Sequence, residues 1–340
     1  MSKTYDVAVV GATGAVGRTM LDILAERKFP VGRVHALASE RSAGKSISFN
    51  GHRLIVQNLA EFDFSNTKIG LFSAGSSISR VYAPKAVDAG CVVIDNTSQF
   101  RYDDDIPLIV PEVNPEAIGA YTSRGIIANP NCSTIQMVVA VKPVYDEAGI
   151  ERINVCTYQA VSGSGQSAIE ELRSQTTALL NGEKVENSVY PKRIAFNALP
   201  HIDVFQDNGY TKEEMKLVWE TRKIMGDESI RVNATNVRIP VFYGHSEAVH
   251  LETRRKIGIE RVRELLQNAP GVEVMDDPAH AGYPTAATEA AHRDAVFVGR
   301  LRNDISHDRG LNMWIVADNV RKGAALNSVQ IAEYLIKSYM

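Results

Sequence analysis

The segment Asp6-Val7-Ala8-Val9-Val10-Gly11-Ala12-Thr13-Gly14-Ala15-Val16-Gly17 restricts the fold more than any other stretch of this 340-residue chain. A buried-strand run ends in a glycine turn, and a helical pattern follows from Arg18 to Arg27. Strand, glycine turn and helix in that order open a parallel βαβ unit. The glycines at 11, 14 and 17 form a GxxGxxG variant of the dinucleotide fingerprint. Without side chains, Gly11 and Gly14 let the backbone approach a pyrophosphate at the helix N-terminus, although the same glycines also suit a plain tight turn.

The second strand, Val34 to Ala38, ends at Ser39-Glu40-Arg41-Ser42, where ribose chemistry is read in such folds. An NAD binder places a carboxylate there. Arg41 between Ser39 and Ser42 suits a 2′-phosphate and so NADP(H), with Glu40 pulling the other way and a solvated turn as the plain alternative. Further strands at Lys68–Phe72, Cys91–Ile94 and Leu108–Val110 alternate with helical or polar segments, as a doubly wound parallel sheet requires. Their polar ends, Ser73-Ala74-Gly75-Ser76-Ser77 and Asp95-Asn96-Thr97-Ser98, mark the crevice where open α/β sheets bind ligands.

Beyond Gly149 the strands lengthen and alternate: Asn154–Ala160, Val232–Pro240, Ser246–Arg254, Asp294–Arg302 and Leu311–Ala317. They predict a mostly antiparallel sheet with helices on one face and the other face open to a dimer. The final amphipathic helix, Ala324–Lys337, is expected to pack back on the first domain. The fold class is thus α/β: a Rossmann-type doubly wound domain, 1–130 completed by 320–340, and an α+β catalytic and dimerisation domain, 131–319.

A formal charge of -3 and a pI near 6.3 argue against nucleic acid or an anionic membrane as partner, because neither could be held by phosphate neutralisation. Small molecules are the expected ligands. No stretch is apolar for long enough to cross a bilayer, and Met1 to Asp6 lacks a secretory core, which predicts a cytoplasmic protein. Three cysteines without CxxC spacing give neither a disulfide framework nor a thiolate zinc site. His245 and His250 lack an HExxH or carboxylate pattern, so no metal is expected.

One of those cysteines stands apart. Cys132, in Asn129-Pro130-Asn131-Cys132-Ser133-Thr134, lies between the strand run Ile126-Ile127-Ala128 and the helical pattern from Thr134 to Val141. At a helix N-terminus the unpaired N–H groups and the macrodipole stabilise a thiolate and an oxyanion. Cys91 and Cys156, flanked by aliphatic residues, read as core. Three further polar features carry plain readings when taken singly: the Val161–Gln166 loop after Gln159 as a linker, Arg238 as a surface arginine, and His245 as a histidine satisfied by backbone.

Taken together, GATGAVG at 11–17, NPNCST at 129–134, YQAVSGSGQ at 158–166, EEMK at 213–216, VRIPVFYGHSEAV at 237–249 and ADN at 317–319 closely resemble the aspartate-β-semialdehyde dehydrogenases. The resemblance runs from the first strand to the last helix. It implies a homodimer that uses NADPH to reduce β-aspartyl phosphate to aspartate semialdehyde and phosphate, toward lysine, threonine and methionine. By that likeness Cys132 is the acyl-thioester nucleophile, His245 the general acid/base and Gln159 the residue that orients the intermediate. Arg238 would hold the substrate α-carboxylate, Glu214 its amine, and Arg101, Asn131 and Lys216 the phosphate. Thr13, Gly14, Ala15, Val16, Arg41, Ser42, Ser162, Gly163 and Asn319 fall where the family contacts NADP. The nearest alternatives are another acyl-phosphate reductase, such as N-acetyl-γ-glutamyl-phosphate reductase, and a non-catalytic NADPH-sensing Rossmann protein.

Overall fold

The computed structural model describes residues 3–340, and these divide into two compact units, 3–131 with 324–340, and 132–323. In the first unit the chain runs through β1 (Tyr5–Val10), α1 (Ala15–Glu26) and β2 (Val31–Ala38). A small hairpin of β3 (Ser46–Phe49) and β4 (His52–Ile55) and the short β5 (Gln57–Asn58) follow. Then come β6 (Ile69–Phe72), α2 (Ser76–Asp88), β7 (Val92–Asp95) and β8 (Ile126–Ala128). The sheet order is β5-β2-β1-β6-β7-β8 with every pair parallel. The chain departs from β1 to one side and resumes at β6 on the other. That reversal is the topological switch point at which doubly wound sheets bind ligands.

The glycine turn sits at this point for a steric reason. Gly11 has φ +89, and a Cβ there would lie 3.0 Å from the Ser73 backbone. A Cβ on Gly17 would lie 2.2 Å from the Gly11 carbonyl oxygen, so only glycine lets α1 pack onto the turn. The C-terminal helix, Leu326–Ser338, places Leu326, Val329, Ile331, Ala332 and Leu335 in the same core as Val7, Val9 and Leu24.

The expected strand at Leu108–Val110 does not form beyond one parallel bridge, Leu108 to Ala128. The Asn114 side chain captures the backbone there, donating from Nδ2 to Leu108 O (2.9 Å) and accepting Val110 N–H (2.9 Å). Pro111 then supplies no N–H to continue a ladder.

The second unit contains α3 (Cys132–Ala148), β9 (Ile150–Gln159), α4 (Gln166–Leu180), α5 (Lys212–Met225), β10 (Arg231–Arg238) and β11 (His245–Thr253). It continues with α6 (Ile259–Gln267), β12 (Val272–Val274), β13 (Val296–Asn303) and β14 (Gly310–Ala317). The sheet order is β10-β9-β11-β14-β13-β12. It is mixed, with three antiparallel pairs at its centre and a parallel pair at each edge. The β9/β10 pair is parallel because the chain makes a helical crossover through α4 and α5 between them.

One sheet face is buried through Ile153, Val155, Thr157, Glu247, Val249 and Leu251, while Arg152, Asn154, Cys156 and Tyr158 of β9 stay partly open on the other. Cys156 is therefore not a core thiol as expected, since strand alternation turns it toward the open face. Cys91 is buried, and that burial pushes its thiol up to about 12. Among the described residues no helix is long and apolar enough to cross a membrane.

Candidate active site

Antiparallel pairing of β11 with β9 and β14, and parallel pairing of β10 with β9, bring four strand ends together. Arg238 lies opposite Gln159, Ser246 opposite Tyr158, and His245 opposite Ala317. The last residues of β9 and β10 and the first of β11 thus share one edge, with Asp318 and Asn319 following β14. Gly244, at φ +87, makes the turn into His245, and a Cβ there would lie 2.7 Å from Ala286 O.

Polar contacts bind this edge into one cluster. Gln159, nearly fully buried, donates from Nε2 to Glu213 Oε1 (3.2 Å) and accepts the Thr157 hydroxyl at Oε1 (3.0 Å). Arg238, also buried, donates from Nη1 to Ala160 O (2.7 Å), while its Nε has no internal partner. A donor without a partner on a buried guanidinium is rare among native side chains and marks Arg238 as a candidate functional residue. His245 is wholly buried and accepts the Ala160 N–H at Nδ1 (3.0 Å), with Gln159 Nε2 3.4 Å from its Nε2. Burial first, and then the Arg238 charge, push its pKa down to about 3 against an opposing pull from Glu213.

Cys132, half-buried, is the first residue of the 17-residue α3. A Cβ on Gly323 would lie 2.7 Å from Cys132 Cβ, so the chain returning from β14 passes against the thiol. One turn into α3, Gln136 donates from Nε2 to His245 O (3.3 Å), which ties the helix of the thiol to the strand of the imidazole. Asn319 spends its amide on the same assembly, donating to Ser162 Oγ (2.9 Å) and accepting Gly244 N–H (2.9 Å). Gly163 faces both functional side chains: a Cβ there would be 3.0 Å from Arg238 Nη1 and 3.5 Å from His245 Nε2.

The amine contact assigned to Glu214 needs correction. Thr211 caps α5 and Glu214 completes the capping box, with Oε2 on Thr211 N–H (2.7 Å) and Oε1 on Asn236 N–H (3.0 Å). Its carboxylate is spent on backbone, and Glu213 is the one that faces Gln159. The Thr-x-x-Glu spacing was the available signal. Lys216 is held between Asp203 (2.8 Å) and Glu213 (2.9 Å). Burial lowers its pKa, but those two carboxylates outweigh it and hold the ammonium above the ordinary lysine value. Asp203 escaped the sequence reading. It adopts φ +68, a left-handed conformation that aspartate tolerates, and no periodic pattern marks such a loop position.

Arg101 and Asn131 belong to the first unit, both buried, with Arg101 donating from Nη2 to Asn96 O (2.8 Å). There too, Gly14 is the N-cap of α1, Thr13 precedes it in the turn, and Ala15 and Val16 open the helix. Ser39 and Arg41 are exposed and Ser42 is buried in a one-turn helix directly after β2.

Glu247, two residues beyond His245 on the buried face, was also missed. Complete burial raises its carboxyl well above the usual carboxylate range, with Gln136 pulling weakly the other way. A carboxyl whose pKa is raised on folding contributes stability below its unfolded pKa and loses it as pH rises toward the folded value. Glu247→Gln should therefore gain stability relative to the parent as pH rises from 5 to 8, read as the difference in urea midpoints. A difference that does not change with pH would rule this out.

A dinucleotide-type unit joined to a unit that gathers a thiol, an imidazole and an arginine defines a nicotinamide-dependent oxidoreductase. Family models match both parts: "Semialdehyde dehydrogenase, NAD binding domain" over residues 6–121 and "Semialdehyde dehydrogenase, dimerisation domain" over 141–322. The chain belongs to the aspartate-semialdehyde dehydrogenase family. It is 60% identical to the aspartate-semialdehyde dehydrogenase of Shewanella violacea over 339 residues, covering 100% of both chains. It is 62% identical to that of Legionella pneumophila over 340 residues, covering 100% of this chain and 98% of the relative. A crystal structure of aspartate semialdehyde dehydrogenase II from Vibrio cholerae, complexed with ASA, superposes with a TM-score of 0.98 at 60% identity, covering 100% of both chains.

Proposed function

We propose that the protein reduces β-aspartyl phosphate to aspartate semialdehyde and phosphate with NADPH, through a thioester on Cys132. The observation that carries this reading is a thiol at the start of α3 in the unit where a buried Arg238 keeps an open donor beside His245 and Gln159. An acyl phosphate is already activated, so a thiolate can displace phosphate, and the resulting thioester accepts hydride more readily than a carboxylate does. Arg238 receives the α-carboxylate through its planar fork. Glu213 takes the α-ammonium in place of Glu214, and Gln159, fixed by Glu213 and Thr157, orients the intermediate. Lys216, with Arg101 and Asn131, serves the phosphate.

The first unit fits the cofactor: Gly11 and Gly17 permit the tight turn that seats α1 against β1, and the α1 N-terminus at Ala15 and Val16 offers N–H groups to a pyrophosphate. NADPH supplies the hydride. Exposed Arg41, with Ser39 and Ser42, favours the 2′-phosphate. Ser162, Gly163 and Asn319 complete the cofactor contacts in this reading. The dimerisation-domain match supports a homodimer. In this reading the activity serves lysine, threonine and methionine biosynthesis in the cytoplasm.

The purified protein should reduce NADP with aspartate semialdehyde only when phosphate is present, followed as nicotinamide absorbance. Arg41→Ala should cut the preference for NADP over NAD by about 10- to 100-fold, the worth of one or two charge-assisted hydrogen bonds. No turnover with either dinucleotide would remove the assignment.

A further inference from the structure

We propose that Glu247 is a positioning residue for the thiol: as a neutral carboxylic acid it donates its proton to Gln136 Oε1, completing a strut that holds the first turn of α3 against the start of β11. The inference deepens the thioester reading above, on which it rests, by naming what fixes the nucleophile in place.

The strut follows from the placement of three residues. Gln136 lies four residues after Cys132 in α3, on the same side of the helix and one turn along. That helix packs on β9, β11 and β14. His245 and Glu247 are two apart in β11, so their side chains share the buried sheet face. Gln136 meets this strand twice: its Nε2 donates to His245 O (3.3 Å), and its side chain acts on the Glu247 carboxyl.

The hydrogen-bonding capacity of these groups locates a proton. A backbone carbonyl can only accept, so the contact with His245 O puts the Gln136 amide nitrogen on that side and turns Oε1 away from it. Oε1 has no internal donor, and neither has either oxygen of Glu247, although both side chains are wholly buried. Left as acceptors alone, the two side chains would both forfeit a hydrogen bond. One proton removes the conflict: a carboxylic O–H satisfies Gln136 Oε1 and abolishes a charge that the buried face cannot solvate. The second carboxyl oxygen stays unbonded, which a neutral carbonyl tolerates far better than a carboxylate does.

The groups facing Glu247 leave this role to it. Opposite it stand Thr157 on β9 and Ile315 on β14. The Thr157 hydroxyl is directed to Gln159 Oε1 and Asn236 Oδ1, at 3.0 Å each, and has no proton left for the carboxyl. Among the described residues no charged group acts on Glu247; burial dominates and raises its carboxyl well above the usual carboxylate range, opposed only by Gln136. Without the donor, the Gln136 amide is free to turn, its hold on His245 O weakens, and the seat of Cys132 against β11 loosens with it. A misplacement of about 1 Å in reacting groups can cost 10²-fold in rate.

Four variants of the full-length protein test this, in a Cys156→Ala background so that labelling reports Cys132. Glu247→Gln keeps a donor for Gln136 Oε1 and should retain kcat within about threefold of the parent. Glu247→Met and Gln136→Met fill the space without a hydrogen-bonding partner, and each should lose about 10- to 100-fold in kcat with KM within about threefold. The double variant should lose no more than the worse single one, because both break the same strut. The pH midpoint for alkylation of Cys132 by iodoacetamide should move together in Glu247→Met and Gln136→Met and stay in place in Glu247→Gln; a role in stability alone would leave it unmoved in all of them. Parental kcat and alkylation midpoint in Glu247→Met overturn the proposal, and so does a Glu247→Gln as impaired as Glu247→Met. Infrared difference spectra of parent against Glu247→Gln give a check that needs no turnover: the carboxylic acid C=O band should persist at about pH 8, and a carboxylate band in its place refutes the donor role. Turnover surviving in Cys132→Ala would instead remove the thioester reading, and the infrared result would still decide the state of Glu247.

Discussion

Cys132→Ala should lower turnover with aspartate semialdehyde, phosphate and NADP by at least about 10⁴-fold, as removal of a covalent nucleophile does elsewhere, while NADPH binding stays within about twofold. The separation is expected because the dinucleotide cradle of Gly11 to Gly17 belongs to the first unit and the thiol to the second. NADPH fluorescence titration and steady-state rates on the same sample measure the two effects. Activity above about 1% of the parent would mean that chemistry proceeds without the thioester. The other cysteines supply controls. Cys91, buried with its thiol pushed up to about 12, should resist iodoacetamide. Cys156 lies on the open sheet face, so its labelling or its replacement by alanine should leave turnover intact.

Arg238→Ala should reduce kcat/KM by roughly 10³-fold, the sum of two charge-assisted hydrogen bonds at about 1.5–3 kcal/mol each. Two losses combine: the open donor beside His245 disappears, and Ala160 O, which accepts Nη1 at 2.7 Å, is left without it. Arg238→Lys should recover little, because a point charge cannot serve Ala160 O and a planar carboxylate together. A substrate analogue lacking the α-carboxylate separates carboxylate capture from general damage to the site. On it Arg238→Ala should lose only the share owed to the Ala160 O contact, about tenfold and far less than on the full substrate. If the variant loses as much on the analogue as on the full substrate, Arg238 supports the site and does not bind the carboxylate.

Much of the fold was legible because its determinants are local. The β1–turn–α1 unit depends on glycines whose missing Cβ atoms are required at once, at 2.2 Å from backbone in the case of Gly17. Leu108–Val110 was misread because its competitor, the Asn114 side chain, lies only a few residues on but leaves no trace in hydrophobic pattern. The site was legible as a set of residue types and not as an arrangement. Glu213 and Glu214 are neighbours with the same chemistry, and the capping box, a local signal, ties Glu214 to the backbone while Glu213 faces Gln159 and Lys216. Asp203, Gln136 and Glu247 carry no signature, since their roles arise only from what packs against them.

By itself, the sequence determined the dinucleotide unit, the position of the thiol at a helix start and the likeness to a family. These depend on neighbours along the chain, and sterics and capping act at that range. Only the tertiary structure decided that the ends of β9, β10, β11 and β14 meet, that Arg238 Nε has no internal partner, and that Ala160 N–H bonds His245 Nδ1. Those facts join residues distant in the chain, 78 positions apart in the Ala160–Arg238 contact and 85 in the Ala160–His245 contact, and protonation follows from the partners and burial that such contacts create.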